Sequence, residues 1–65
     1  MRTYTGENVK IELYQDGDVM AYQMTGQGIA EQVGTSRQSI DGLMDTLLSP
    51  IGMAVVDGQI RFVNN

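Results

Sequence analysis

Two Asp-Gly dipeptides, Asp16-Gly17 and Asp57-Gly58, each lie between short segments in which apolar and polar residues alternate. Both residue types tolerate positive φ, which the type I′ turn of a two-residue hairpin requires. An Asp-Gly pair in this setting predicts that two antiparallel strands meet at the turn. The chain is therefore expected to contain one β-hairpin near each end.

The first hairpin is predicted to join Asn8–Tyr14 to Val19–Met24. Apolar residues in the first segment alternate with Lys10 and Glu12, which is the period of a half-buried strand. A two-residue turn at Asp16-Gly17 fixes the register and places apolar residues opposite each other on one face. The predicted pairs are Gln15 with Asp18, Leu13 with Met20, Ile11 with Tyr22, and Val9 with Met24.

The second hairpin is predicted to join Met53–Val56 to Gln59–Val63 through Asp57-Gly58. The same turn geometry gives this hairpin one apolar face and one mixed face. The predicted pairs are Val55 with Ile60 and Met53 with Phe62 on the apolar face, and Ala54 with Arg61 and Val56 with Gln59 on the mixed face.

The segment between the hairpins predicts two helices. Ile29, Ala30 and Val33 have helical spacing, and Gly34 is suited to end that helix in a left-handed conformation. Thr35 or Ser36 is expected to cap the second helix, which carries a full apolar stripe. That stripe consists of Ile40, Leu43, Met44, Leu47 and Leu48, the outward face carries Arg37, Gln38, Asp41 and Asp45, and Ser49-Pro50 ends the helix.

The segment Gly28–Leu43 resembles the helix-turn-helix of phage repressor and Cro proteins. A small residue, Ala30, stands where two such helices approach, and Gly34 stands at the turn. The resemblance implies that the second helix enters the major groove with its first residues against base edges. Arginine suits guanine and glutamine suits adenine in such contacts. The implied DNA-reading residues on this helix are Ser36, Arg37, Gln38 and Asp41.

The C-terminal hairpin stands where the excisionase-like and MerR-like members of this superfamily carry a β-wing. The segment Ala54–Phe62, which would form the wing, carries one basic residue, Arg61, and the resemblance adds it to the DNA-binding set. The implied fold is α+β and winged-helix-like: a β-hairpin, a two-helix unit and a second β-hairpin. The implied function is a small sequence-specific DNA-binding transcriptional regulator of phage or mobile-element type.

Composition narrows the function further. The 65 residues, expected to form a single domain over 1–65, include neither Cys nor His. This excludes a zinc finger, a Ser-His-Asp triad and a thiol nucleophile. No phosphate-binding loop is present, so we expect no enzyme activity, no metal and no cofactor.

The charge balance opens an alternative to DNA binding. Four basic residues stand against 8 acidic ones, a net charge of -4, which opposes nonspecific attraction to phosphate. The alternative is an acidic protein-binding module that inhibits or modulates a host protein, for instance by mimicking nucleic acid. The apolar runs are too short to span a bilayer, so we expect no membrane partner and a cytoplasmic location.

The small core predicts a partner copy. A chain of this length buries only about 60% of its unfolded surface, and without disulfides oligomerisation is the remaining way to bury more. The apolar faces of the two hairpins exceed what two short helices are able to cover. We therefore expect a homodimer at micromolar concentration.

Overall fold

The computed structural model describes residues 1–26 and 28–63 and shows a mostly β fold with one α-helix in that part of the chain. Strands β1 to β4 form an antiparallel sheet in the order β1-β2-β3-β4, and β5 and β6 form a separate hairpin. The elements are β1 Arg2–Gly6, β2 Val9–Asp16, β3 Val19–Gly26, β4 Gln32–Ser36, α1 Ile40–Leu48, a 3₁₀ turn Ser49–Ile51, β5 Met53–Val56 and β6 Gln59–Phe62.

Strand β1 was not predicted, and it joins β2 through a tight turn at Glu7-Asn8. Both turn residues have positive φ, 50° and 63°, as in a type I′ hairpin. The turn pairs Gly6 with Val9 and Tyr4 with Ile11. The first hairpin of the chain therefore precedes the one marked by Asp16-Gly17.

The β2–β3 hairpin forms as predicted, but its register is shifted by two residues. Ile11 lies opposite Met24 rather than Tyr22, because the turn is centred on Gly17-Asp18. Gly17 has a φ of 64°, and only this first central residue has positive φ, as in a type II′ turn. A shift of two residues keeps every side chain on its predicted face.

The C-terminal hairpin has the predicted register. Val55 lies opposite Ile60 and Met53 opposite Phe62. The two turn residues, Asp57 and Gly58, have φ values of 52° and 79°, the signature of a type I′ turn.

Helix α1 buries the predicted apolar stripe, with Leu43, Met44, Leu47 and Leu48 buried and Ile40 half-buried. The helix begins later than predicted, and its N-cap is Ser39 rather than Thr35 or Ser36. The Ser39 hydroxyl accepts a hydrogen bond from the Gly42 amide at 3.1 Å. The helix ends at Leu48, and Pro50 lies in the 3₁₀ turn that follows.

The helix predicted from Ile29, Ala30 and Val33 is wrong. Gly28–Glu31 contains no helix, and Gln32–Ser36 is strand β4, which pairs with β3. Val33 lies opposite Gln23 on β3 and is 68% exposed, so it does not belong to the apolar side of a helix. Pairing with β3 has overridden a local spacing that only three apolar residues supported.

The helix-turn-helix resemblance and the winged-helix-like α+β class are therefore also wrong. Both required two consecutive helices, and the first of these is a turn followed by an edge strand. Gly34 is not a helix stop: it faces the ring of Tyr22 on β3, and a Cβ there would lie 2.7 Å from the tyrosine oxygen. Close packing between strands explains this glycine.

The core lies between α1 and one face of the sheet, here called the inner face. The inner face contributes Ile11, Leu13 and Met24, all almost fully buried. Helix α1 covers them, and the C-terminal hairpin completes the cluster with Met53 and Ile60. The remaining buried members are Val9, Leu43, Met44, Leu47 and Leu48.

The C-terminal hairpin packs against β1 at Gly6. This glycine has a φ of 153°, and a Cβ built on it would overlap the carbonyl oxygen of Ile60. Only glycine allows β6 to approach β1 this closely. Strand β6 therefore contacts β1 at Gly6, whereas β4 lies at the opposite edge of the sheet.

Candidate functional site

The predicted DNA-reading residues do not open a helix. Ser36 is the last residue of β4, and Arg37 and Gln38 lie in the exposed connection to α1. Asp41 lies in the first turn of α1 and is exposed. The predicted DNA-reading residues therefore lie at and after the end of strand β4, and they do not form the N-terminal turn of a recognition helix.

Gln38 is occupied by hydrogen bonds within the chain. Its backbone amide donates to the Ser36 hydroxyl at 3.0 Å, and its side-chain amide donates to the Thr46 hydroxyl at 3.1 Å. The Thr46 hydroxyl in turn donates to the Gly42 carbonyl at 3.0 Å. These bonds fasten the β4–α1 connection to the outward side of α1.

Arg61 lies far from Arg37 in the fold. Arg61 is on β6, which packs against β1, and its guanidinium donates to the Gln59 side chain at 2.9 Å. Arg37 follows β4 at the other side of the sheet. At a strand spacing of about 4.8 Å, β1 and β4 alone are about 14 Å apart. The structure does not bring these two cations together.

The outer edge of β4 is one surface that the fold leaves available. In the described residues β4 pairs only with β3, so half of its backbone N–H and C=O groups face away from the sheet. The strand Gln32–Ser36 contains no charged residue and no proline, the usual protections of an edge strand.

Opposite charges lie at the two ends of this edge. Glu31 precedes β4, and its carboxylate accepts a hydrogen bond from the side-chain amide of Gln23 at 2.9 Å. Arg37 follows β4, is exposed, and has no carboxylate within 4.0 Å in residues 1–26 and 28–63. Gly34 is at the centre, three residues from each charge. Sequence reasoning missed this arrangement, although the symmetry of Glu31 and Arg37 about Gly34 is visible in the sequence.

The second available surface is a groove between the C-terminal part of α1 and the C-terminal hairpin. We call it the hairpin groove, with a volume of about 250 Å³. Val63 is 50% exposed at its edge, and Val56 on the same hairpin is 44% exposed. The groove is lined by Asp45, Ser49, Gly52, Met53, Ala54 and Val63.

A further concavity of about 280 Å³ opens between the inner face and the start of α1. Its charged side chain is Arg2, whose guanidinium donates to the Tyr4 hydroxyl at 3.3 Å. The other lining residues are Met1, Leu13, Gln15, Met20 and Ile40. This lining offers no carboxylate beside Arg2 and so no acid–base pair.

The outer face of the sheet carries one perturbed titratable group. The Tyr14 hydroxyl donates to a Glu12 carboxylate oxygen at 3.3 Å. The negative charge of Glu12 raises the pKa of the Tyr14 phenol, because a phenolate there would be repelled. Glu12 also pairs with Lys10 at 3.7 Å. These are ordinary exposed neighbours on one strand.

Neither a protein-family model, nor a curated protein, nor a solved structure matches the chain. No helix in the described ranges has both the length and the apolar character that crossing a bilayer requires. The hairpin groove and the outer edge of β4 are the surfaces from which a function is proposed.

Proposed function

We propose that the chain is a non-enzymatic acidic module that binds a segment of another protein in the hairpin groove and thereby modulates that protein. The observation that carries this proposal is a groove with an exposed apolar side chain in its lining. Val63 is 50% exposed at the open end of the hairpin, next to Gly52. An exposed apolar side chain in a concavity is typical of protein-interaction sites.

The charges around the groove indicate the chemistry of the partner. Asp45 is exposed and is the charged residue in the lining of the groove. The net charge of -4 favours encounter with a basic surface. The expected ligand is a segment with an apolar anchor residue next to a Lys or Arg, the anchor contacting Val63 and Ala54 and the cation contacting Asp45.

The DNA-binding hypothesis no longer has the motif on which it rested. Its implied contact residues are divided between the β4–α1 connection and β6, and Gln38 is bonded to α1. We therefore place the protein-binding hypothesis first. The homodimer and the cytoplasmic location are retained as parts of this proposal.

Peptide display tests the proposed groove even though the partner is unidentified. A library of random peptides selected on the full chain should enrich sequences with an apolar residue beside Lys or Arg. For a synthetic enriched peptide, Val63→Lys should weaken binding at least about tenfold, since it places a cation where the apolar anchor packs. Asp45→Asn should weaken it less, and mainly at low salt.

Val33→Lys is the matched control, because it makes the same change at an exposed valine on the other side of the sheet. It should leave peptide affinity unchanged. Equal loss in both variants, or no enrichment at all, would contradict the groove. Retention of a random duplex pool at low salt, lost on Arg37→Ala, would favour DNA binding instead.

A further inference from the structure

We propose that β4 of one copy pairs antiparallel with β4 of a second copy, about a two-fold axis at Gly34. The four-stranded sheets of the two copies then form one continuous sheet. This inference rests on the homodimer included in the proposed function and names the surface that forms it. It leaves the hairpin groove of each copy free, because the groove belongs to the opposite side of the fold.

The β4 edge is in a state that favours the addition of a strand. An exposed strand without charge, proline or bulge is a template for another strand. Strand addition to such an edge supplies backbone hydrogen bonds whatever the side chains are, and the side chains select the partner. The partner must therefore be complementary to Gln32–Ser36 and to the residues that flank it.

The charges at the ends of β4 select the register. Antiparallel pairing with Gly34 opposite Gly34 places Glu31 of each copy opposite Arg37 of the other. Both residues lie one position outside β4, and they fall on the outer face with Val33 and Thr35 when pairing extends the strand by one residue at each end. Each dimer gains two such pairs. Pairing that instead centred on Glu31 or on Arg37 would place like charges opposite each other.

The side chains between these charges also fit this register. On the outer face Val33 lies opposite Thr35 of the second copy, a pair of β-branched residues that suits a sheet. On the inner face Gln32 lies opposite Ser36, two hydrogen-bonding side chains. At the centre, two glycines leave space for the Tyr22 hydroxyl, which already lies over Gly34.

A second copy fits this edge better than an unrelated extended peptide does. The chain itself carries the complementary charges at the required spacing, and an unrelated peptide would have to supply both. The net charge of -4 makes two copies repel each other in general. The two Glu31–Arg37 pairs oppose this repulsion locally and so select the orientation and register.

Sedimentation equilibrium on the full chain tests the register through charge reversal. Arg37→Glu and Glu31→Arg should each raise the dimer dissociation constant about tenfold or more, since each replaces two attractive pairs with two repulsive ones. The double variant Glu31→Arg with Arg37→Glu restores opposite charges and should recover most of the affinity. Arg61→Glu is the matched control, being the same change at an exposed arginine on β6, and should change the constant less than about twofold.

The outcomes separate this inference from the proposed function. A dimer that tolerates both single reversals and Val33→Lys would keep the homodimer and overturn the β4 interface. A monomer at every concentration up to millimolar would overturn the homodimer and the interface together. Peptide binding in the groove is measured in a separate experiment. The effect of Val63→Lys on that binding tests the proposed function, and the sedimentation result does not change its interpretation. Failure of the double variant to recover affinity would overturn the Gly34-centred register.

Discussion

Strands β1 and β4 are the two outer strands of one sheet, and they have the same pattern of exposed and half-buried residues. Strand β6 packs against β1 so closely that Gly6 has no space for a side chain. Within residues 1–26 and 28–63, no strand pairs with the outer edge of β4. Both strands have five residues and no alternating apolar pattern of their own. The C-terminal hairpin therefore distinguishes the two strands by its contact at Gly6, although neither outer edge is paired within the described residues.

The largest expected effect is at Gly6, where β6 contacts β1. Gly6→Val should destabilise the fold by more than about 4 kcal/mol, because the new side chain would overlap the backbone of Ile60 at a φ that valine avoids. A domain of this size has only about 3–10 kcal/mol in total, so the variant should be largely unfolded. Urea denaturation followed by circular dichroism measures this.

Thr5→Val, at the exposed neighbouring position, provides the control and should unfold within about 0.5 kcal/mol of the original chain. If Gly6→Val were as stable as Thr5→Val, then β6 would not lie against β1, and the comparison between the two sides would be lost.

A smaller effect is expected at the turn of the C-terminal hairpin. Gly58→Val should cost more than about 1 kcal/mol, since Gly58 has a φ of 79° and no atom near an added Cβ. The cost is therefore one of backbone conformation. Loosening this turn should also increase hydrogen exchange in β1, which the hairpin contacts at Gly6, more than in β4.

Gly58→Asn separates conformation from side-chain size, because asparagine tolerates the left-handed region. It should retain most of the stability that Gly58→Val loses. Equal destabilisation by Asn and Val would contradict the type I′ turn.

The smallest expected effect is on the pKa of Tyr14, which lies on strand β2 on the outer face of the sheet. Glu12→Gln should lower the pKa of the Tyr14 phenol, because it removes the carboxylate charge that raises it. Since the folded pKa is the raised one, this contribution to stability is fully present below the unfolded pKa and is lost as pH rises through the folded pKa. Ultraviolet titration measures the phenol directly.

The Val63→Lys variant should not shift the titration of Tyr14, because Val63 follows β6 in the separate C-terminal hairpin. A shift in this variant would show that the C-terminal hairpin influences the outer face.

The sequence predicts the parts of this fold that local chemistry determines. Asp57-Gly58 fixes both the turn type and the register of its hairpin, and the stripe from Ile40 to Leu48 fixes the helix. At Asp16-Gly17 three turn residues compete, so the register moved by two while the buried face was retained. A two-residue shift leaves side-chain parity unchanged, and the alternation of apolar residues does not detect it.

The two outer strands could not be predicted in the same way, because their strand state depends on neighbours. Arg2–Gly6 and Gln32–Ser36 have little apolar content, and each is a strand because β2 or β3 supplies the hydrogen bonds. In the second segment Val33 also fits a helical spacing with Ile29 and Ala30, which led to the wrong helix. Because this segment was predicted to be a helix, its exposed strand edge was not predicted. The hairpin groove was not predicted either, because it depends on where α1 ends relative to the C-terminal hairpin.

The two outer strands differ most directly in their contacts: β1 contacts β6 within one copy, and we propose that β4 pairs with a second copy. Backbone amide hydrogen exchange at two concentrations, one well below and one well above the dimer dissociation constant, tests this strand by strand. We expect amides of Gln32–Ser36 to gain protection on concentration while those of Arg2–Gly6 do not change. Unchanged exchange in β4 together with new protection in β1 or in the C-terminal hairpin would contradict the proposal that β4 forms the dimer interface.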